Sequence, residues 1–528
     1  MSGPMESHDD VAARDDAHLR SLGIKPELQR RLGFLSNFAV AFSYISVSTG
    51  TYTLIALGLG VGGPAFFWSW PLVVLGQTFV ALNFAELASH FPVAGSIYQW
   101  SKRLSNKTLG WFTGWFYFWA GVLTTTAVAA TVPLVLSAIF GFNLGDPSPI
   151  PALNNLIFWG LISLVSTTLI NAYGIRLLQI INNLGVAAEI LGMLVFAVIL
   201  LIVGRHQDLS VLFQTAGTET PETGGYLPIF AIAMFMSLFV VYGFDTAGTF
   251  GEETLDASRQ APRGILSAIW LSGLIGFVFL LAIVLAIPDV AASLTDPAPI
   301  ATSIKAGLGE TFGNAYLYVI LAAVYVCTMA IQGATTRLMF SMSRDRRMPL
   351  GALWGRVNPT FKTPANAAVA VGVLAAIPFI VTDSPVLLAA GATGLIYLSY
   401  FLCNLGVLAA RRRGWPHKGA WFSLRGWGTV INVIALVWGG AMIINFGLWS
   451  DSSLFGNFGS DLRDFTNPSL NLLTSGGQKI SFLPDIPFFE ASILLILIGG
   501  ALYYVLTGQG RKVDQVEADL ATGEAVIG

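Results

Sequence analysis

The sequence is poor in charged residues and in cysteine. Of its 528 residues, 54% are hydrophobic and only 11% are Asp, Glu, Lys or Arg, whereas about a quarter of an average soluble protein is charged. So little charge excludes a water-soluble domain. The net charge of −2 leaves no basic surplus, so nucleic acid is not expected as a partner. Cys327 and Cys403 both lie inside apolar segments, which argues against a disulfide framework or a thiolate metal site.

Sequence motifs for metals, nucleotides and catalysis are missing as well. The five histidines lie neither close together along the chain nor in the middle of an apolar segment, so no metal centre is expected. The sequence has no glycine-rich loop with an adjoining Lys, which removes the usual sign of an ATP-driven pump. Because there is no catalytic constellation either, the sequence predicts neither an enzyme nor a cofactor.

Long apolar segments are what the sequence has in abundance. From Phe34 onward, segments of about twenty residues recur, each long enough to cross a hydrocarbon layer of about 30 Å as a helix. The 56 glycines suit close packing of such helices in lipid. We predict twelve spans, at 34–58, 64–90, 109–139, 152–171, 178–204, 226–250, 262–288, 314–342, 364–382, 385–410, 427–449 and 487–507.

The basic residues set the expected orientation. If the N-terminus is inside, all but four of the 28 Lys and Arg residues lie in cytoplasmic segments or at cytoplasmic span ends, as in most membrane proteins. The exceptions are Arg205, Lys305, Arg463 and Lys479. We therefore expect a multi-pass plasma-membrane protein with cytoplasmic tails at 1–33 and 508–528. Residues 34–410 form the expected core, and 411–507 hold the last two spans with a long extracellular loop at 449–487.

Two spans contain polar interruptions at corresponding places. The first reads SYISVSTGTY over 43–52, and the sixth reads FVVYGFDTAGT over 239–249. Backbone groups freed by a break are costly in hydrocarbon unless they line a cavity or bind a ligand. Breaks five spans apart are typical of an inverted repeat, spans 1–5 and 6–10, with a substrate site at the repeat interface. The alternative is that Ser, Thr and Gly only let unbroken helices pack closely.

Two carboxylates lie deep in these spans. Asp245 falls within the interruption of the sixth span, where we expect it to face a substrate cavity. Glu189 lies in the middle of the fifth span and has no basic residue in that span. Carboxylates at such depth are expensive and usually have a partner or a task. Glu189 is therefore either a group that takes up and releases a proton, or a neutral group bonded to a neighbouring helix.

Other charged residues have structural interpretations. We expect Glu86, near the cytoplasmic end of the second span, to be structural. The loop after the sixth span, with Glu252, Glu253, Arg259 and Arg263, is expected to form salt bridges to neighbouring loops. The basic triplet 411–413 is expected to anchor the topology and to touch anionic membrane lipid.

Three segments resemble signatures of one transporter superfamily. FAELASHFPVAGSIY at 84–98 resembles the AELxxxFPxAGGxY signature of amino acid, polyamine and organocation permeases. GFD at 243–245, followed by EET at 252–254 and APR at 261–263, is similar to a segment of the amino acid/choline transporter branch. RLMFSMSRDRRMP at 337–349 resembles the superfamily signature after the eighth helix. Together these segments extend the resemblance over spans 1–10, but they do not specify a substrate.

The resemblance implies an all-α membrane protein with twelve transmembrane helices, a five-plus-five inverted repeat with broken helices 1 and 6, and two accessory helices. It also implies secondary transport by alternating access. Glu189 falls where some relatives carry a lysine that replaces a sodium ion, and Phe239 matches an aromatic gate. The family pattern places the substrate carboxylate against Ser46, Val47, Ser48, Thr49, Gly50 and Thr51, and its amine against Tyr242, Gly243, Phe244, Asp245 and Thr246. Ser96 replaces a family glycine, which we expect to have no consequence.

The predicted function is proton-coupled secondary transport of a small amino acid or related zwitterion. One alternative is a carrier of choline, ethanolamine or a polyamine, because aromatic side chains near both breaks could bind a cation and Asp245 could balance its charge. An amino acid exchanger is another alternative. A receptor or channel is disfavoured, because channels favour rings of charge or carbonyls repeated by oligomer symmetry.

Overall fold

The computed structural model describes residues 8–219, 225–382, 384–416, 420–448, 474–475, 478–479 and 488–511. Most of the expected extracellular loop at 449–487, residues 1–7 of the N-terminal tail and residues 512–528 of the C-terminal tail lie outside the described residues. Within the described part, nearly every regular element is a helix. The exception is a two-stranded antiparallel hairpin, β1 (Thr474–Ser475) and β2 (Gln478–Lys479).

The helices follow one another in this order along the first half of the chain: α1 (His8–Ser21), α2 (Phe34–Ile45), α3 (Val47–Gly62), α4 (Ser69–His90), α5 (Ser96–Leu104), α6 (Lys107–Ala129), α7 (Thr131–Phe140), α8 (Asn155–Tyr173), α9 (Ile175–Val203), α10 (Tyr226–Ala233), α11 (Phe235–Val240) and α12 (Thr246–Thr249). The second half contains α13 (Ala257–Leu285), α14 (Val290–Ser293), α15 (Pro299–Arg344), α16 (Gly351–Trp354), α17 (Ala365–Ala376), α18 (Pro378–Val381), α19 (Pro385–Arg412), α20 (Gly428–Leu448) and α21 (Phe488–Leu506). Short 3₁₀ helices occupy Pro64–Trp68, Leu209–Phe213, Gly251–Glu253, Arg425–Trp427 and Gln509–Arg511.

All twelve predicted spans coincide with apolar helices. Nine helical segments of the described residues are long and apolar enough to cross a membrane, and three shorter apolar helices at Tyr226–Val240, Ala365–Ile380 and Ser492–Leu506 supply the sixth, ninth and twelfth spans. The first span is the most enclosed, with 89% of its apolar window buried, against 28% for the fifth and eleventh. The broken span therefore lies at the centre of the bundle, while others turn side chains such as Leu191 and Val437 outward, as lipid contact requires.

The first and sixth spans are broken where the polar interruptions predicted. In the first span, Ser46 separates α2 from α3 with left-handed backbone angles, φ 30° and ψ 86°. In the sixth, the helix ends at Val240, residues 241–245 are non-helical, and α12 resumes at Thr246. The interpretation of Ser, Thr and Gly as packing residues of unbroken helices is therefore wrong. The all-α fold class is confirmed, with its breaks in the two expected spans.

One end of the bundle gathers buried ion pairs. We call it the basic face, and it is formed by α1, α5, the segment 250–256 and the segment 345–364. Glu252 and Glu253 follow the sixth span and bind Arg344 and Arg337 of the eighth span, each through two hydrogen bonds of 2.7–3.1 Å. Because partly satisfied buried charges are costly, these paired contacts fix the loop after α12 onto α15.

Two further ion pairs tie loops to this face. Glu86 accepts hydrogen bonds from Arg411 and from the backbone N–H of Leu424, so its expected structural role is supported by its contacts. Lys102 lies 2.5 Å from Asp345. Burial alone would raise the pKa of the Asp345 carboxyl, but the Lys102 ammonium and the Arg344 guanidinium outweigh it and hold that pKa below its ordinary value. Asp345 is therefore an anionic anchor between α5 and α15.

Candidate functional site

The two helix breaks pack directly against each other. Gly243 has a left-handed φ of 86°, and a Cβ added there would lie 1.9 Å from the ring of Tyr44. A Cβ added at Gly50 would lie 2.6 Å from a methyl group of Val240. Real Cβ atoms do not approach other atoms this closely, so each break needs glycine where it faces the other. The Tyr44 and Tyr242 rings also meet edge to face at 6.2 Å.

In the first break, Glu189 of α9 contacts the N-terminus of α3. The hydroxyl groups of Ser46 and Ser48 donate to Glu189 Oε1 at 2.8 and 2.7 Å, and the Ser48 backbone N–H lies 3.4 Å from the same oxygen. The first amides of a helix lack intrahelical partners and carry a partial positive charge. The break therefore presents several hydrogen-bond donors together, and in this structure the buried carboxyl group of Glu189 accepts from them.

These contacts bear on both interpretations of Glu189. Its hydrogen-bond partners come from a neighbouring helix, as expected if Glu189 is a neutral group bonded to that helix. The sequence of the fifth span alone could not identify these partners. The same contacts place the carboxyl directly at the break between α2 and α3. The role of Glu189 in proton coupling remains a prediction.

The other residues of the first break are buried but differ in what their hydroxyl groups contact. Thr49 lies 2.6 Å from Ser46, oxygen to oxygen, so it belongs to the polar cluster around Glu189. Thr51 donates to the Val47 carbonyl at 2.5 Å within its own helix. The structure thus brings Ser46, Ser48 and Thr49 together, whereas the Thr51 hydroxyl donates to a backbone carbonyl of its own helix.

In the sixth break, Asp245 is enclosed by hydroxyl groups. Tyr117 of α6 donates to Oδ2 and Tyr400 of α19 donates to Oδ1, both at 2.5 Å, and Ser96 of α5 donates to Oδ2 at 3.1 Å. Tyr400 also accepts the Gly243 N–H at 2.9 Å. Asp245 is fully buried. Its carboxylate oxygens are therefore engaged by the surrounding helices, and its contact with a substrate remains a prediction.

The aromatic residues expected at the site form a layer beside the breaks. Phe239 packs edge to face on Tyr242 at 5.9 Å, and the Tyr242 hydroxyl lies 3.2 Å from Thr124. Phe244 packs on Tyr400, with ring centroids 5.5 Å apart. Thr246, at the start of α12, has a buried hydroxyl without a hydrogen-bond partner among the described residues.

Three residues that contact Asp245 were not predicted from the sequence. Tyr117 and Tyr400 lie within spans, whereas transmembrane tyrosines concentrate at the membrane interfaces, and that position was a signal that could have identified them. Ser96 replaces a family glycine and was expected to have no consequence, but its hydroxyl contacts both Asp245 and Thr249. The replacement therefore adds a polar contact to the site, and its effect on function stays a prediction.

The site is acidic and contains no basic group from the broken spans. The first, fifth and sixth spans contain Glu189 and Asp245 but no Lys, Arg or His. Among the described residues, no group of three His, Cys, Asp or Glu side chains could hold a metal ion. The Cys327 thiol of α15 lies beside the first break, 3.6 Å from the Tyr44 carbonyl oxygen. The arrangement combines a helix N-terminus, a non-helical segment and aromatic walls, which is suited to binding a small organic molecule.

Known proteins are similar to this chain in sequence. A family model described as amino acid permease matches residues 32–465. The amino-acid permease BAT1 of Arabidopsis thaliana is similar, with 30% identity over 452 residues that cover 80% of this chain and 86% of the relative. The choline transporter of Saccharomyces cerevisiae is 25% identical over 450 residues, covering 82% of this chain and 77% of that protein.

A solved structure shows a similar fold. The crystal structure of MhsT in complex with L-phenylalanine aligns with a TM-score of 0.58 at 16% sequence identity. The alignment covers 79% of this chain and 99% of that one. At this identity the likeness concerns the fold alone, and it supports the all-α architecture.

Proposed function

Because the chain belongs to the amino acid permease family, we propose that it carries small amino acids or related zwitterions across the plasma membrane by proton-coupled alternating access. The chain is a multi-pass membrane transporter and not an enzyme. In the proposed orientation the basic face and both termini are cytoplasmic, as the distribution of Lys and Arg favours.

The observation that carries the proposal is the position of the Glu189 carboxyl on the N-terminus of α3. The donors that contact it, on Ser46 and Ser48, belong to the segment proposed to hold the substrate carboxylate. Two carboxylates cannot share these few donors without repulsion in a low-dielectric site. Arrival of the substrate carboxylate would therefore displace Glu189, which then takes up a proton. Substrate binding and proton uptake become linked at one helix terminus.

The substrate amine is proposed to bind the sixth break. Within the break, the carbonyl groups of Val241, Tyr242 and Phe244 have no hydrogen-bond partner among the described residues, whereas those of Gly243 and Asp245 accept from the backbone of α12. Carbonyl oxygens accept hydrogen bonds from an ammonium group, and the buried carboxylate of Asp245 adds a favourable charge nearby. The edge-to-face rings of Phe239 and Tyr242 would cover the bound molecule from the side of α11.

The test is uptake by proteoliposomes that contain the purified full chain. With an inward proton gradient, wild-type protein is expected to accumulate labelled amino acid, and E189Q is expected to lose accumulation while retaining substrate binding by thermal shift. Glu310, whose side chain is 75% exposed at the far end of α15, supplies the matched control E310Q, which should behave as wild type. Accumulation by E189Q in response to a pH step would reject Glu189 as the coupling group.

An organic cation is the second candidate substrate, favoured by the two buried carboxylates and the aromatic walls of the site. A carboxylate-free cation would leave Glu189 in place on α3 instead of displacing it. Thermal shift with an amino acid, its methyl ester and choline separates the candidates. A zwitterion carrier should be stabilised by the amino acid far more than by the ester, whereas a cation carrier should favour the ester or choline.

A further inference from the structure

The first two turns of α13 contain two arginines, Arg259 and Arg263, that the ion pairs do not use. Glu252 and Glu253, in the loop before α13, bind Arg344 and Arg337 instead. Arg259 and Arg263 have no carboxylate oxygen within 4 Å in the described part of the chain, so their expected role in salt bridges is wrong. Both side chains are exposed near the start of α13. Two free guanidinium groups therefore lie where the seventh span begins.

Aromatic rings hold these guanidinium groups in place. Arg259 and Arg263 lie 5.7 and 5.5 Å from the ring centroid of Trp421, and Arg263 also lies 5.8 Å from that of Phe34. The Trp421 residue is 49% exposed. A guanidinium within about 6 Å of a ring face is attracted to it, and Trp is typical of the membrane interface. The cluster is thus an interfacial cationic surface with a fixed geometry.

The cluster borders a groove of about 500 Å³ between the starts of α2 and α13 and the segment 420–424. One wall is apolar and the other carries the arginine charge. The Gln260 side-chain carbonyl in the groove is buried and has no hydrogen-bond partner among the described residues. The groove is lined by Phe34, Gln260, Arg263, Leu266, Ser267, Trp421 and Phe422.

We propose that this groove binds the headgroup phosphate of an anionic phospholipid. The guanidinium groups of Arg259 and Arg263 contact the phosphate, Gln260 accepts a hydrogen bond from a headgroup hydroxyl, and the first acyl carbons lie along Leu266. A lipid is favoured over a free phosphate because the lining is mostly apolar and lies where two spans begin. The sequence of 413–424 contains no Asp or Glu to compete for the arginines.

The basic triplet 411–413 was expected to touch lipid, but two of its three side chains contact protein groups instead. Arg411 binds Glu86, and Arg413 donates to the Leu104 carbonyl oxygen. These side chains are turned toward the protein, whereas Arg259 and Arg263 remain available. The proposal does not depend on the identity of the transported substrate, so the transport experiments and the lipid experiment can fail separately.

The test measures lipid binding to the purified full chain in detergent by native mass spectrometry and thermal shift. Phosphatidylglycerol should bind and stabilise the wild type more than phosphatidylcholine does. For R259Q/R263Q we expect roughly thirtyfold weaker phosphatidylglycerol binding, because each basic side chain near an anionic lipid contributes about 1 kcal/mol. W421L, which keeps both charges, should weaken binding less.

The matched control removes two exposed arginines elsewhere, in R20Q/R356Q, and should bind phosphatidylglycerol as the wild type does. Equal binding by R259Q/R263Q and wild type would overturn the proposal. If glycerol 3-phosphate stabilises the protein as much as phosphatidylglycerol, the site recognises a free phosphate and the lipid assignment is wrong. If R259Q/R263Q does not fold, the W421L variant tests the proposal instead. Unchanged phosphatidylglycerol binding by W421L would then reject the groove as the lipid-binding site.

Discussion

The first and sixth spans are broken at corresponding places, but different groups hold the two breaks. The first break has no charge of its own and is contacted by one carboxyl group, Glu189, from α9. The sixth break carries its own carboxyl group, Asp245, and hydroxyl groups from α5, α6 and α19 surround it. The donors to Glu189 belong to one short segment, residues 46–48, whereas the donors to Asp245 belong to three separate helices that hold the sixth break from several sides. We therefore expect the first break to change during transport and the sixth to keep its position.

The largest effect is expected from G243A. A methyl group would overlap the Tyr44 ring, and a left-handed backbone costs Ala about 1 kcal/mol or more, in addition to about 1–3 kcal/mol for overpacking. Uptake should be abolished and the thermal midpoint lowered. The control G141A places Ala at a φ of 73° with nothing within 4 Å, so it isolates the backbone cost. Equal loss of stability in both variants would mean that the contact with Tyr44 is unimportant.

The second effect is expected from D245N. An amide nitrogen cannot accept from a tyrosine hydroxyl, so one donor among Tyr117 and Tyr400 loses its partner, at a cost of about 1–3 kcal/mol. Uptake should fall by at least about tenfold, with a smaller loss of expression. If the hydroxyl contacts cause the loss, D245N/Y400F should be less impaired than the sum of its single changes. The exposed Asp208 supplies the control D208N, and wild-type uptake by D245N would remove Asp245 from the site.

A third, smaller effect tests the first break. G50A brings a methyl group to 2.6 Å from Val240, but the backbone of Gly50 is not left-handed, so the conflict is only one of space. We expect weaker substrate binding in G50A and recovery in G50A/V240A, which removes the opposing methyl groups. Binding measured by thermal shift distinguishes this break from the sixth, because G243A should not recover in Y44F, which keeps the ring. Failure of V240A to restore binding would contradict this account.

The smallest effect is expected from S96A. It removes one neutral hydroxyl from the Asp245 cluster, worth about 1 kcal/mol, so uptake should fall only severalfold. The buried hydroxyl of Ser163 has no partner among the described residues, and S163A is the matched control. Equal uptake by S96A and S163A would mean that Ser96 only fills space beside Asp245.

Hydropathy and polar interruptions predicted the spans and the positions of both breaks, because these depend on local composition along one helix. The partners of Glu189 and Asp245 could not be predicted in this way. They come from spans far away along the chain, and which faces meet depends on packing that no single span encodes. The mixed-charge segment after the sixth span was predicted to form salt bridges to neighbouring loops. Its glutamates do pair outside the segment, with Arg337 and Arg344 of α15, but Arg259 and Arg263 have no carboxylate partner among the described residues, because which charges meet also depends on packing.

The thiol beside the first break gives the wild-type chain a built-in chemical reporter. Cys327 is buried against the Tyr44 carbonyl oxygen, and the other of the two cysteines, Cys403, is also buried. A maleimide can therefore label Cys327 only in conformations in which α2 separates from α15. In a C403A background, the labelling rate measures how often the centre of the molecule opens, without introducing a foreign cysteine. Substrates that hold the breaks together should protect the thiol from labelling. The labelling rate therefore reports the population of open conformations, which an uptake assay does not resolve.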